Sequence, residues 1–355
     1  HHMSVTGPIR LIEDDEEIAR QKITERFMGK RQGRNDRDYV RAILKPLVDA
    51  AFRRPATEEQ FGKYLDMALK HQADGHRLED GLHLALRALL CSPNFLYRGQ
   101  REGKLDDYDL AARLSFFLTS SPPDDSLKKA VAKGKLSDPI ELDAQVRRLL
   151  KHYRIKNFLS SFTGQWLDLR LLPEIMPDSR LLNWNEKDLA AIITETELFV
   201  AEILRENHPI ETFIDPAFTY LNKRNAKLYE IKFPNSEKMK RVDLKKGGRH
   251  GGILGQASVM MATANGVDTQ PVLRGVWLLE NVLGDPVPEP PPDVPAVEPD
   301  TTGAKSIREL LQKHNSDASC AGCHKKIDPL GFALENFDPV GRWRDHYQVY
   351  EKVGD

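Results

Sequence analysis

Cys320-Ala321-Gly322-Cys323-His324 is the stretch of this chain whose residue types and spacing carry chemistry by themselves. On a helical turn, cysteines at i and i+3 share a side, so both thiols reach the two vinyl groups of one haem edge. Cys-x-x-Cys-His is the attachment pattern of c-type haem. The histidine beside the second cysteine falls under the ring, where an imidazole nitrogen takes the iron as proximal ligand. With 3 Cys and 11 His in 355 residues, composition gives such a run little chance of arising by accident.

Three other readings compete: half of a zinc site, a redox dithiol, or two buried thiols. A structural zinc site wants four ligands, commonly from a second Cys or His pair at set spacing, and no second Cys pair exists here. A thioredoxin-like dithiol belongs near a βαβ pattern, which the surrounding sequence lacks. The remaining cysteine, Cys91, ends an apolar helical stretch and reads as a small buried hydrophobe.

The elements that must position the motif read as helix after helix, a mainly α fold. Tyr39, Val40, Ile43, Leu47, Val48 and Phe52 recur at helical spacing between Asp36 and Arg53, with Pro46 as a kink or break. Thr57 and Gln60 form a capping box for the next helix. Leu82, Leu86, Leu89 and Leu90 stripe a third, ended at Ser92-Pro93. Leu110, Leu114, Phe117 and Leu118 are expected to face one way on a fourth. Asp138-Pro139-Ile140-Glu141 is a helix start, and another helix spans Ile155 to Trp166. The stripe over Leu189 to Leu204 is the clearest: Leu189, Ile192, Ile193, Thr196, Phe199, Val200 and Ile203. Glu195 and Glu197 fall on opposite sides of it and are poor partners for paired-carboxylate catalysis. The acidic clusters Asp106-Asp107-Asp109 and Asp124-Asp125 sit at helix starts, where the dipole accounts for them.

Glycines at 247, 248, 251, 252 and 255 surround Arg249 and His250 without Walker or G-x-G-x-x-G spacing. This reads as a loop with close backbone approach, ahead of helices over Ile253 to Ala262 and Pro271 to Leu283. Prolines crowd Asp285 to Pro299, an extended strap. A helix from Ser306 to His314 leads into the Cys-x-x-Cys-His turn, and Asp328-Pro329-Leu330 is expected to open a further helix through Asn336. The organisation read from these signals is an N-terminal helical domain (1–103), a central helical domain (104–284), a Pro-rich linker (285–304) and a haem module (305–355). About fifty residues cannot enclose a haem alone, so the module is expected to pack on the helical body.

A formal charge of −1, with 30% charged residues interspersed, argues against a nucleic-acid partner recruited by bulk charge. No apolar run approaches the ~20 residues of a transmembrane helix. The ends, His1-His2 and Gly354-Asp355, read as those of a piece of a longer protein.

From Cys320 through Lys-Lys-Ile-Asp-Pro-Leu-Gly-Phe-Ala-Leu-Glu-Asn-Phe-Asp-Pro-Val-Gly-Arg-Trp to Arg344, the chain resembles the cytochrome-c-like module of large planctomycete proteins. Those proteins are assembled from serial domains of unknown function, numbered fifteen-ninety-five, fifteen-ninety-two and fifteen-eighty-eight. Ala51-Phe-Arg-Arg-Pro-Ala-Thr-Glu-Glu59 is similar to the first. Leu105 to Leu118, Gly164-Gln-Trp-Leu167 and Gly252-Ile-Leu-Gly-Gln-Ala-Ser258 resemble the second. Pro271-Val-Leu-Arg-Gly-Val-Trp-Leu-Leu-Glu-Asn281 and the proline strap look like the join to the third. The resemblance implies an extracytoplasmic protein with covalent haem c, thioethers at Cys320 and Cys323 and iron on His324. It also implies further haem modules in the parent chain.

The leading expectation is one-electron transfer to a redox partner protein or to those further modules. The distal ligand is sought among His250, Met260, Met261, His314 and His346, with His250 first. The alternatives are a haem-dependent peroxidase or oxidoreductase with an open distal site, served by His250 or Arg249, and a structural or carbohydrate-surface module of a larger assembly. No Gly-x-Ser-x-Gly elbow supports a hydrolase.

Overall fold

The computed structural model describes residues 31–97, 103–179, 183–245, 247–288 and 318–347, with Lys22, Arg26, Met28 and Gly29 ahead of them; for Ala318, Ser319 and Cys320 it gives the backbone alone. Most of the proline strap, the Ser306–His314 helix and His314 lie outside the described residues. Helices dominate, and the chain divides into two compact units, His1–Leu149 and Leu150–Asp355.

In the first unit the Asn35 side chain accepts the Asp38 amide and opens α1 (Asp36–Phe52). The helix runs straight through Pro46, which stands on its exposed side. Val40, Leu44 and Val48 are buried on both sides of that proline, and their burial offsets the roughly 3 kcal/mol an interior proline costs. Thr57 and Gln60 cap α2 (Glu58–Ala73) reciprocally. With α3 (Leu78–Leu90) these helices enclose Leu44, Val48, Phe61, Leu65, Leu82 and Leu89. Cys91, expected in that core, is exposed, because it forms the C-cap of α3 rather than part of its apolar stripe.

Then come α4 (Asp107–Thr119), α5 (Asp125–Ala132) and α6 (Pro139–Leu150). The acidic clusters are helix starts: Asp106 caps α4 and Asp124 caps α5. Each also takes a guanidinium, Arg54 at 2.8 Å and Arg148 at 2.7 Å respectively. The inward face of α4 is Ala111, Ala112, Ser115 and Leu118, and Phe117 is exposed. Two stripes compete on this helix, and the one with small residues wins because it allows closer approach.

The second unit begins with α7 (Ile155–Trp166) and a 3₁₀ turn, Leu169–Glu174. Its central helix is α8 (Glu186–Glu206), capped by Asn185 and Asp188. A two-stranded antiparallel ribbon follows, β1 (Phe218–Leu221) against β2 (Lys240–Asp243), with Phe218 opposite Asp243; α9 (Lys223–Leu228) lies between the strands in sequence. The glycine-rich loop ends in a 3₁₀ turn, Ile253–Gly255, and α10 (Ala257–Ala262). Gly252 has φ 66°, and a Cβ there would lie 2.5 Å from the carbonyls of Phe213 and Ile214, so this loop needs glycine for close backbone approach. Next is α11 (Pro271–Trp277), which widens into a π turn, Leu278–Leu283. The last element is α12 (Ala318–Phe332). Leu334, Phe337 and Val340, just beyond α12, share one core with Ile192, Phe199, Val200, Met260 and Met261.

Candidate functional site

Cys320, Cys323 and His324 all lie on α12. The break expected at Asp328-Pro329 is absent: the helix continues to Phe332 with Pro329 inside it. Two contacts on α11 hold the helix on either side of that proline. At Gly275 an added Cβ would run into the carbonyl of Ile327, and at Gly331 into the carbonyl of Pro271. The two helices therefore cross with their backbones nearly touching, and that packing overrides the local cost of the proline.

The crossing is locked by Arg274, which has no exposure. Its Nη1 donates to the carbonyls of Leu334 at 3.0 Å and Phe337 at 2.8 Å, and its Nη2 to that of Asp338 at 3.2 Å. Burial pushes this guanidinium down to about 10, against the opposing pull of Glu335, so it stays charged at neutral pH. Glu335 in turn accepts from Thr269 at 2.8 Å, Arg344 at 3.1 Å and Tyr347 at 2.8 Å. Asp338 takes the amides of Val340 and Arg342 at 3.0 and 2.8 Å. Lys326 pairs with Asp285 at 2.5 Å. The segment after the motif is thus a scaffold that fixes α12.

The geometry at the motif is compact. Cys323 is a free thiol at intermediate exposure. The Nδ1 of His324 lies 2.9 Å from Oδ1 of Asp328, one turn on, with side chains 15% and 12% exposed. Beside them opens a recess of about 710 Å³, lined by Ala321, His324, Lys325, Asp328, Pro329, Phe332 and Ala333. That volume is in the range of small-molecule sites, roughly 300–1,000 Å³. The described lining comes from one helix and the residue after it, so it supplies one side of a cofactor's surroundings. Among the described residues no group of three or more His, Cys, Asp and Glu side chains is arranged to hold a metal by itself.

His250 is not in this recess. It is buried on the glycine-rich loop, stacked on Tyr229 at 4.3 Å between ring centroids, with Phe337 edge-on at 5.6 Å. Its Nδ1 lies 3.4 Å from the carbonyl of Gly255, and burial pushes its pKa below the ordinary value. Arg249 sits over the Trp343 ring at 4.5 Å. Met260 and Met261 are fully buried core residues, and His346 is exposed. None of these residues lines the recess beside His324.

Sequence reasoning missed Asp328 as a partner of His324, although the i, i+4 spacing on a helix is the signal. It also set Glu195 aside. That carboxyl is fully buried on the inner face of α8 and accepts from Thr219 at 2.7 Å, Asn225 at 2.7 Å and Tyr229 at 2.8 Å. Burial raises it to about 7 against those three hydrogen bonds. The Tyr229 phenol, also buried, is pushed well up and accepts the Ala257 amide at 2.8 Å. Glu195 thereby ties β1, α9 and α10 to α8.

Three family models match the chain. Residues 39–99 match PSD5, a protein of unknown function (DUF1595). Residues 105–231 match PSD4, a protein of unknown function (DUF1592). Residues 250–347 match PSCyt3, a protein of unknown function (DUF1588), and this match contains the motif, Arg274 and the Glu335 scaffold. No curated protein and no solved structure matches the chain. With these domains in this order, the chain belongs to the planctomycete cytochrome-c-like (PSCyt) families, which are built from domains of unknown function.

Proposed function

We propose that Cys320, Cys323 and His324 hold a covalent c-type haem and that the protein passes single electrons outside the cytoplasm. The observation that carries this reading is the 2.9 Å contact from His324 Nδ1 to Asp328, directly after Cys323 on one helix and beside an open recess. A ligand histidine characteristically gives its other ring nitrogen to a carboxylate or carbonyl. With Nδ1 engaged, Nε2 is the nitrogen that would take iron. Cys320 and Cys323 would hold the group through thioether links. In the recess beside His324, Ala321, Phe332 and Ala333 would give the group apolar neighbours and Lys325 a cation.

When bound, the haem supplies a reversible one-electron couple. A redox partner protein or further haem modules of the parent chain would exchange the electron, and c-type attachment implies an extracytoplasmic site. Among the described residues no helix is long and apolar enough to cross a membrane. Protein matured with the haem-attachment machinery should show a low-spin, six-coordinate spectrum and a reversible one-electron titration. A high-spin spectrum with turnover of peroxide would instead favour the enzyme reading. His324→Ala should abolish the low-spin spectrum while the thioethers remain.

A further inference from the structure

We infer that Asp328 sets the electronic character of His324 and holds the iron centre at low potential. This rests on the reading that His324 takes the iron. The two side chains lie one turn apart on α12, with His324 Nδ1 2.9 Å from Asp328 Oδ1 and both mostly shielded from water. A hydrogen bond in such surroundings is electrostatically stronger than one in solvent. The acceptor is an anionic carboxylate, a better acceptor than a neutral backbone carbonyl. Drawing on the Nδ1 proton shifts electron density toward Nε2, makes the imidazole a stronger donor, and favours ferric over ferrous iron.

Neither capping nor the helix dipole accounts for a carboxylate at this place. Asp328 caps no following helix, because α12 runs on to Phe332. The dipole does not favour it, since a negative charge near a helix C-terminus is repelled. Its place is also rigid. Gly331, three residues on, packs against the Pro271 carbonyl, and Ile327, just before, packs against Gly275. A ligand's partner must be held this firmly to orient it.

The test is a spectroelectrochemical titration of haem-loaded parent, Asp328→Asn and Asp328→Glu proteins, with haem content measured in each. Asp328→Asn should raise the midpoint potential by at least the equivalent of a tenfold change in the ferric/ferrous equilibrium, about 59 mV for one electron. Asp328→Glu should return most of that shift. Equal potentials in parent and Asp328→Asn, with haem content unchanged, would overturn the inference alone. If Asp328→Asn fails to carry haem, the inference falls, because Asp328 is then needed for haem attachment rather than for setting the potential. If neither variant matures, Asp328 serves folding only and the inference falls. A matured parent without covalent haem would remove the functional reading itself, and this inference with it.

Discussion

Glu195 shows how much a single side chain can constrain the second unit. It is a fully buried carboxyl with Thr219, Asn225 and Tyr229 all donating to it. Truncation to alanine strands those donors, each at a cost of roughly 1–3 kcal/mol. Glu195→Ala should therefore lower the stability of this unit by about 3 kcal/mol or more. Trp166, Trp184, Trp277 and Trp343 all lie in it, so tryptophan fluorescence during urea unfolding reads it directly. The carboxyl is raised from an ordinary 4.5 to about 7. Between those values the folded state holds a proton that the unfolded chain has lost. Its stabilising contribution is complete below pH 4.5 and is lost as pH rises through 7, at up to about 1.4 kcal/mol per pH unit. Glu195→Gln should flatten that slope. An unchanged pH profile in the variant would count against a raised carboxyl. Position 195 stands three residues after Ile192 and four before Phe199, both on the predicted apolar stripe. The periodicity thus points to its burial, whereas the three hydrogen-bond partners come from elsewhere in the chain and leave no local signature.

At the level of elements, the crossing of α11 and α12 governs the geometry of the site. Gly331 and Gly275 allow it, and Arg274 fastens it to the carbonyls beyond α12. Gly331→Ala should cost about 1–3 kcal/mol through overpacking, visible as a lower urea midpoint and a lower yield of haem-loaded protein. Arg274→Met keeps the volume but removes the donors. It should cost roughly 3–5 kcal/mol, as breaking a buried charged network does. Arg274→Lys should recover only part of this, since an ammonium cannot reach three carbonyls in a fixed fork. Hydrogen exchange over 333–344 in these variants would rise first; protection equal to the parent's would contradict the locking role. Much of this level was legible in sequence: capping residues set α2 and α6, and α7 spans the predicted Ile155 to Trp166. Where the prediction failed at Phe117 and Pro329, tertiary packing overrode the local pattern; Cys91 failed because it is the C-cap of α3. Spacing states that a helix has a face but not which neighbour will cover it.

Across the whole molecule, the segment just after the motif is part of a unit's core. Leu334, Phe337 and Val340 pack with Phe199 and Met260, far back in the chain. The expectation that a segment too small to enclose a haem would pack on helical structure is met on this side. The sequence shows the proposed ligand side because Cys320, Cys323 and His324 fall within one short local pattern. It shows less of what surrounds them, because Asp328, Phe332 and the α11 contact depend on α12 being continuous. The most direct measurement is the intact mass of natively matured protein under denaturing conditions, followed by peptide mapping. The account predicts an increase equal to one haem, placed on the peptide that carries Cys320 and Cys323 and lost in the Cys320→Ala/Cys323→Ala double variant. A mass equal to that of the bare polypeptide would contradict it.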